Sequence, residues 1–383
     1  VNTSLGRISL RITDDLASVE ADWEKLQANA PCTAPQTYDW AKAWARHVLG
    51  PEGNDAIIVV GHAPNGDLLF LWPFEMAEVA SLSVLKWLSG DHANYNMGLF
   101  APEAASGFTA EDISALLDAV ARETGAVAAI LTAQPFAWDG VPNPFAKLSH
   151  QGAPSTGYAI RLGDFTKLYE GRFIKRSRST LERKERKLAD SDPIVYGWAE
   201  TRDERLALLD TFFAQKSRQL AAMGVNDIFD AHARAFYQEV ALLEGDNPSR
   251  LRLGYLRIGE TACSQPSAER SAITAWGVAL SSLAEDERKR QSPGALLLKH
   301  QIEEACAKGI AFYDIGVGAA RHKDDWCDVV QPLFGAFIAL KPQGLLVTLP
   351  LATMARLKRA IKSSQHLWPL AQRVRKGVFG RGA

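Results

Sequence analysis

The stretch Gln291-Ser292-Pro293-Gly294-Ala295-Leu296 has the makings of a backbone cradle for an anion. It opens a segment in which Leu298, Ile302 and Ala305 recur at helical spacing. The start of a helix exposes unpaired N–H groups and the positive end of the macrodipole, and both suit a phosphate. Ser292 is a capping residue type, and Pro293 is tolerated at the first helical position because its missing N–H would be unpaired anyway. Gly294 removes the Cβ that would hold a ligand off the backbone, and Arg288 and Arg290 stand just upstream for outer phosphates. Ordinary helix initiation is the competing use of Ser-Pro-Gly, and it needs no ligand.

The elements around this loop read as two similarly built halves. In the first, "GRISLRI" alternates as a strand, and Leu16, Val19, Trp23 and Leu26 then follow a helical period. "TYDWAKAWARHVLG" predicts a second helix, and "DAIIVVGHAPNGDLLFLWPFEM" a hairpin turning at Asn65-Gly66. A helix over 111–123 and the strand "AVAAILTAQPF" complete this half, and Pro and Gly punctuate 141–157 as a boundary. The second half begins with the strand "GYAIRLG" and a basic helix over 173–189 whose apolar seam is Ile174, Leu181 and Leu188. Two more helices follow, the second over 232–244, then "RLRLGYLRIGE" and "SAITAWGVALS" as antiparallel strands. The opening loop, its helix, and the strands "IAFYDIGV" and "PLFGAFIAL" come last. The expectation is an α/β (α+β) fold of two units, 1–150 and 151–345, with a basic amphipathic tail over 346–383.

Composition sets limits. At 47% hydrophobic and 23% charged residues the chain can build a sizeable core, and a net charge of −1 gives no argument for nucleic acid. The charge is unevenly placed: from residue 351 onward there are eight Lys and Arg and no acidic residue. Four scattered cysteines form no C-x-x-C pair, so neither a disulfide framework nor a metal site is expected. No apolar run spans a bilayer and no signal peptide is visible, which predicts a cytoplasmic protein, with peripheral contact to the inner membrane face as a further expectation. G-x-S-x-G, H-E-x-x-H and Walker A patterns are lacking, which disfavours a hydrolase triad, a zincin and a P-loop NTPase.

The order of long antiparallel strand, glycine-bearing loop, helix and strand resembles the GNAT acyltransferases, whose loop binds the coenzyme A pyrophosphate. Leu296 stands where their pattern has a small residue. "SPGALLLKHQIEEACAKGIAFYDIGVGAARHKDDW" further resembles the CelD/BcsL-like (BioF2-like) acetyltransferases, relatives of the FemAB group. The matching positions are Ser292-Pro293-Gly294, Leu296-Leu297, Gly309, Tyr313-Asp314-Ile315-Gly316, Lys323 and Trp326, with His322 where the family commonly has Tyr. The resemblance implies two tandem GNAT-like units, with Arg288, Arg290, Gln291, Ser292, Gly294 and Ala295 holding acetyl-CoA or another acyl-CoA. It implies no metal.

Direct attack on a thioester needs a base for the attacking amine or hydroxyl and a donor for the oxyanion. Asp314, His322 and Lys323 gather where a strand ends. A histidine suits the base, Asp314 can orient it or act itself, and Lys323 can bind an anionic group. Gly316-x-Gly318 superficially resembles a dinucleotide turn, but no helical periodicity follows it. In the first unit Asp91, His92 and Tyr95 of "SGDHANYN" are candidate acceptor-binding residues, as the family's segment there suggests. The expected function is acyl-CoA-dependent N- or O-acyl transfer to a small-molecule or saccharide acceptor, in polysaccharide or cell-envelope biosynthesis. The alternatives are a FemAB-like transferase using aminoacyl-tRNA, and a non-catalytic GNAT-like module that binds a partner. The basic tail offers a contact to a membrane surface or an acidic carrier protein.

Overall fold

The structure, a computed structural model, describes all residues except 191, 260, 271–274, 278–289, 365–366 and 368–383. For 261–270, 275–277 and 321 it describes the backbone alone. The chain forms two units, 1–156 with 331–369, and 157–330 with 370–383. The first stretch supplies β1 (Ser9–Thr13), α1 (Glu20–Asn29), α2 (Tyr38–Trp44), β2 (Asp55–His62), β3 (Leu68–Val79) and β4 (Leu82–Trp87). It continues through β5 (Leu99–Phe100), α3 (Ala110–Thr124), β6 (Ala128–Pro135) and β7 (Gln151–Gly152). The second unit holds β8 (Gly157–Arg161), α4 (Phe165–Arg172), α5 (Lys175–Ala189), β9 (Ile194–Trp198), α6 (Arg202–Ala222) and α7 (Ala231–Ala241). Then come β10 (Leu251–Ile258), β11 (Thr261–Arg270), β12 (Ala275–Gly277), α8 (Pro293–Ala307), β13 (Phe312–Val317), α9 (Arg321–Trp326) and β14 (Val329–Gln331). The chain finally returns to the first unit as β15 (Leu333–Ala339) and α10 (Leu345–Ser363).

Both units are mixed, mainly antiparallel sheets flanked by helices, as the sequence predicts. The first sheet runs β7-β15-β6-β4-β3-β2-β1, with β5 also on β3. Its hairpin pairs Val60 with Leu71 and Ile58 with Pro73, and fully buried rings fill the core. Trp72 stacks on Phe70 at 4.4 Å and meets Phe145 edge-on at 4.9 Å. The α3 start is fixed by a reciprocal cap: Asp112 N–H donates to Thr109 Oγ1 at 3.1 Å, and Thr109 N–H donates to Asp112 Oδ2 at 2.8 Å.

The expected boundary at 345 is corrected by strand pairing. Phe337 faces Ile130 and Ala339 faces Ala128, so β15 extends the first unit's sheet. The expected tail over 346–383 is likewise corrected at its start. Val347 and Leu351 of α10 pack on Ala77, Val84, Val127, Ala128 and Ile130 of that sheet. Gly344 allows the approach, because a Cβ there would lie 2.1 Å from the Val127 carbonyl oxygen. Among the described residues no helix is long and apolar enough to cross a membrane.

Glu75 in β3 gives the first unit a pH dependence. Burial pushes its carboxyl up to about 7, against the pull of Lys86, its cross-strand neighbour. The raised value means that its share of stability is full below the unfolded value near 4.5 and is lost as pH rises through about 7. Glu75→Gln should therefore melt with the native chain near pH ~5. At about pH 8 it should be more stable by about 3 kcal/mol, read from thermal melts across that range.

The second sheet runs β9-β10-β11-β12-β13-β8-β14. β10 and β11 pair antiparallel from Leu251 opposite Ala268 to Ile258 opposite Thr261, whereas β12 runs parallel to β13, with Gly277 opposite Asp314. Period-two alternation turns Leu256 and Ile258 of β10 toward α8, where Leu296, Leu297 and Leu188 meet them. Further along α8, Leu298, Ile302 and Ala305 pack with Ile160, Tyr313, Ile315 and Trp326. One helix thus draws its seating from strands on both sides of the parallel pair.

Candidate functional site

The loop ahead of α8 is built by one strained residue. Ser292 occupies the cap position with φ 57° and ψ 53°, the left-handed region that a β-substituted residue enters only at a cost. In that conformation its carbonyl accepts from Ala295 N–H at 3.0 Å and Leu296 N–H at 3.2 Å. Its hydroxyl does not cap the helix as its residue type suggests. It accepts instead from Lys184 Nζ of α5 at 2.7 Å. Pro293 and Gly294 follow as the first two helical residues, so the Gly294 amide belongs to the first turn and has no carbonyl of its own helix to meet.

Leu296 does not crowd this loop. Its side chain is fully buried against Leu188, Leu256 and Ile258, so the position that departs from the small-residue pattern faces the core. Arg290 is exposed and Gln291, Ser292, Gly294 and Ala295 are half-buried. Arg288 lies outside the described residues.

Behind the loop, α5 is pinned to α8. Glu185 Oε1 accepts from Tyr196 OH at 2.9 Å and from His300 Nε2 at 3.0 Å, with Lys299 Nζ at 3.6 Å from its other oxygen. Burial works against the ionised carboxylate, but these donors outweigh it and hold Glu185 below the usual glutamate range. The seam of α5 explains the contact: Lys184 and Glu185 lie on the face of Leu181 and Leu188, three to four residues from each. That spacing was the sequence signal for both. Ile174, expected on the same seam, is 71% exposed because α5 begins only at Lys175.

A second set of bonds ties α8 to β13. Tyr313 OH donates to Gln301 Oε1 at 2.9 Å. Gly254 makes room for that amide, since a Cβ there would stand 2.4 Å from Gln301 Nε2. Beside Tyr313 in β13, Asp314 accepts from Gly316 N–H at 2.7 Å, which shapes the turn at the strand's end.

The short helix α9 follows that turn, although no apolar period announces it. Among its described side chains Lys323 and Trp326 turn inward, and three-residue spacing puts them on one face. Lys323 is 6% exposed and donates to the carbonyls of Gly316 at 2.9 Å and Val317 at 3.2 Å. Burial lowers its pKa, with the Asp314 carboxylate pulling the other way. The anion-binding role expected for Lys323 thus gives way to a brace across the strand end, because its ammonium is spent on backbone. His322 faces outward and is exposed. Partial shielding by neighbouring chain, then the Lys323 ammonium, moves its imidazole below the usual histidine value, so it is neutral at pH ~7 and able to accept a proton. Burial pushes the Cys327 thiol up to about 12, so it stays protonated and is a poor nucleophile.

Residues 175–324 match the acetyltransferase (GNAT) domain. The match runs from α5 into α9, so the loop, Lys184, Asp314, His322 and Lys323 all fall within the matched residues. No curated protein matches the chain. Among solved structures, FemX is similar at a TM-score of 0.55 and 10% identity, over 91% of this chain and 99% of that one. L-PGS from Bacillus licheniformis is similar at 0.53 and 11%, over 88% and 96%. Both likenesses lie in the fold, and they extend well beyond the GNAT domain.

The first-unit candidates divide between a turn and the core. Asp91 is exposed in a single 3-10 turn, Gly90–His92, and the His92 ring lies 5.0 Å from that of Trp44. Tyr95 is 2% exposed with its ring 4.7 Å from Trp138, so it serves the core rather than a surface site.

Proposed function

We propose that the second unit catalyses transfer of an acyl group from an acyl-CoA, acetyl-CoA by preference, to an amine or hydroxyl. The observation that carries this reading is the convergence at Ser292. The Gly294 amide of the first turn of α8 opens there beside the Lys184 ammonium, a backbone-plus-cation arrangement suited to a pyrophosphate. Gly294 adds no side chain, and Leu296 is turned into the core. Arg290 and Gln291 would hold outer phosphate oxygens.

The thioester would then reach toward the end of β13. His322, neutral near pH ~7, takes the proton of the attacking amine or hydroxyl, and Asp314 shapes the turn that presents it. Lys323 keeps that turn closed. The nitrogen or oxygen of the acceptor attacks the thioester carbon directly and the CoA thiolate leaves, so no covalent enzyme intermediate is needed. The likeness of residues 292–326 to CelD/BcsL-like proteins supports a saccharide or cell-envelope acceptor.

Calorimetric titration of the full chain with acetyl-CoA tests the reading. Saturable one-to-one binding is expected, and no heat at millimolar ligand would end it. A FemAB-like transfer from aminoacyl-tRNA is the second reading. It is favoured by the fold likeness to FemX and by the exposed Lys175, Arg176, Arg183, Arg186 and Lys187 of α5. In that case Arg176→Glu with Arg183→Glu abolishes tRNA retention, and CoA is without effect.

A further inference from the structure

Helix α10 has two apolar faces, and only one is used by the fold. Val347 and Leu351 face the first unit's sheet. On the other side Leu346 is 73% exposed, Leu349 61%, Leu357 59% and Met354 46%. At 100° per residue these side chains fall within one outward sector, centred near Leu346 and Leu357. In the sequence Leu351, Met354, Leu357 and Ile361 recur at helical spacing. The structure turns Leu351 inward and adds Leu346 and Leu349 to the exposed stripe.

Charge is arranged around that stripe. Arg356 and Lys358 flank Leu357 in sequence, so they project about 100° to either side of it. Arg359 and Lys362 follow on the same helix, all four are exposed, and the helix contains no Asp or Glu. Arg356 Nε donates to Gln151 Oε1 at 3.0 Å and Lys362 Nζ to Ser155 Oγ at 2.8 Å, contacts that hold the helix flat along β7. The result is a ridge of apolar side chains with a cationic border at its C-terminal half. A folded protein partner would need a groove shaped to this ridge. A bilayer accepts a convex apolar ridge without shape matching, and anionic headgroups pair with the flanking cations.

We infer that α10 seats the protein on an anionic lipid surface, with Leu346, Leu349, Met354 and Leu357 at the headgroup boundary and Arg356 and Lys358 on headgroup phosphates. The helix lies on the membrane rather than across it, because its opposite face is committed to the sheet. This surface belongs to the first unit and is independent of the acyl-CoA reading.

The test is co-sedimentation of the full chain with vesicles of phosphatidylcholine alone or with about 30% phosphatidylglycerol. Binding is expected to the anionic vesicles, weakening as salt rises. Leu346→Gln with Leu349→Gln and Leu357→Gln should reduce it at least about tenfold, and Arg356→Glu with Lys358→Glu likewise. All five residues are exposed, so both variants should stay folded, the second losing only the Arg356 bond to Gln151, and thermal melts serve as the control. Absence of binding to anionic vesicles overturns the inference, as does binding that neither variant changes. So does a native dimer that the Leu variant converts to monomer without altering vesicle binding, since a second copy would then be the occupant.

Discussion

A Gly294→Glu chain is expected to fold and melt as the native chain does, yet to bind acetyl-CoA at least about 100-fold more weakly, which is about 2.7 kcal/mol. The two halves of this expectation pull in opposite directions, and that makes the test sharp. A glutamate in the first turn of a helix interacts favourably with the macrodipole, and replacing glycine there removes an entropic cost, so α8 itself should gain slightly. A phosphate group uses the same positive helix end. A carboxylate built from Gly294 would occupy that field and meet the Lys184 ammonium, which now lies 2.7 Å from Ser292 Oγ. Calorimetry of the variant beside its thermal melt separates the outcomes. Unchanged affinity in a well-folded variant would remove the cradle from the mechanism.

Trp326→Ala should produce the largest loss of stability in the second unit, about 3–5 kcal/mol. The indole is 3% exposed, stacks on Tyr169 at 5.7 Å and meets Phe173 edge-on at 4.7 Å. It is the single large anchor of α9, so its removal also frees Lys323 from the carbonyls of Gly316 and Val317. Urea denaturation monitored at the second unit should show the midpoint fall, and turnover should fall with it as the β13 end loosens. A variant of native stability with only a raised KM would instead assign Trp326 to acceptor binding.

Much of the scaffold was legible because local chemistry dictates it. Asn65-Gly66 between two β-rich runs admits little but a hairpin, and β2 and β3 form it. The helix over 111–123 is observed as α3, where Thr109 and Gly125 supply start and stop signals that local context leaves intact. The destination of "PLFGAFIAL" was not legible. A strand buried on both faces carries no alternation to say which sheet it joins, and its pairing with β6 is a tertiary choice. Of the site, the loop at 291–296 could be read from residue type alone. For Lys184 the seam through Leu181 and Leu188 tells that this cation turns inward, but nothing in the sequence says that it meets Ser292. Lys323 was expected on an anion because its residue type shows only a cation at a strand's end, whereas three-residue spacing from Trp326 takes it inside.

The return of β15 also orders events on the ribosome. β6 lies between β4 and β15 in the sheet, so while residues 157–330 are being made its outer edge has no neighbour. The second unit is contiguous over that span and has its described strands and helices once residue 330 has emerged. The first unit, begun earlier, must wait for Leu333–Ala339 to close its sheet and for α10 to cover Val84 and Ile130. The helices and strands of 157–330 are therefore made before β15 can close the sheet that was begun first. A fragment cut after residue 156 would expose the apolar β6 as an open edge, so dissecting the two units calls for excising the middle of the chain and rejoining its ends.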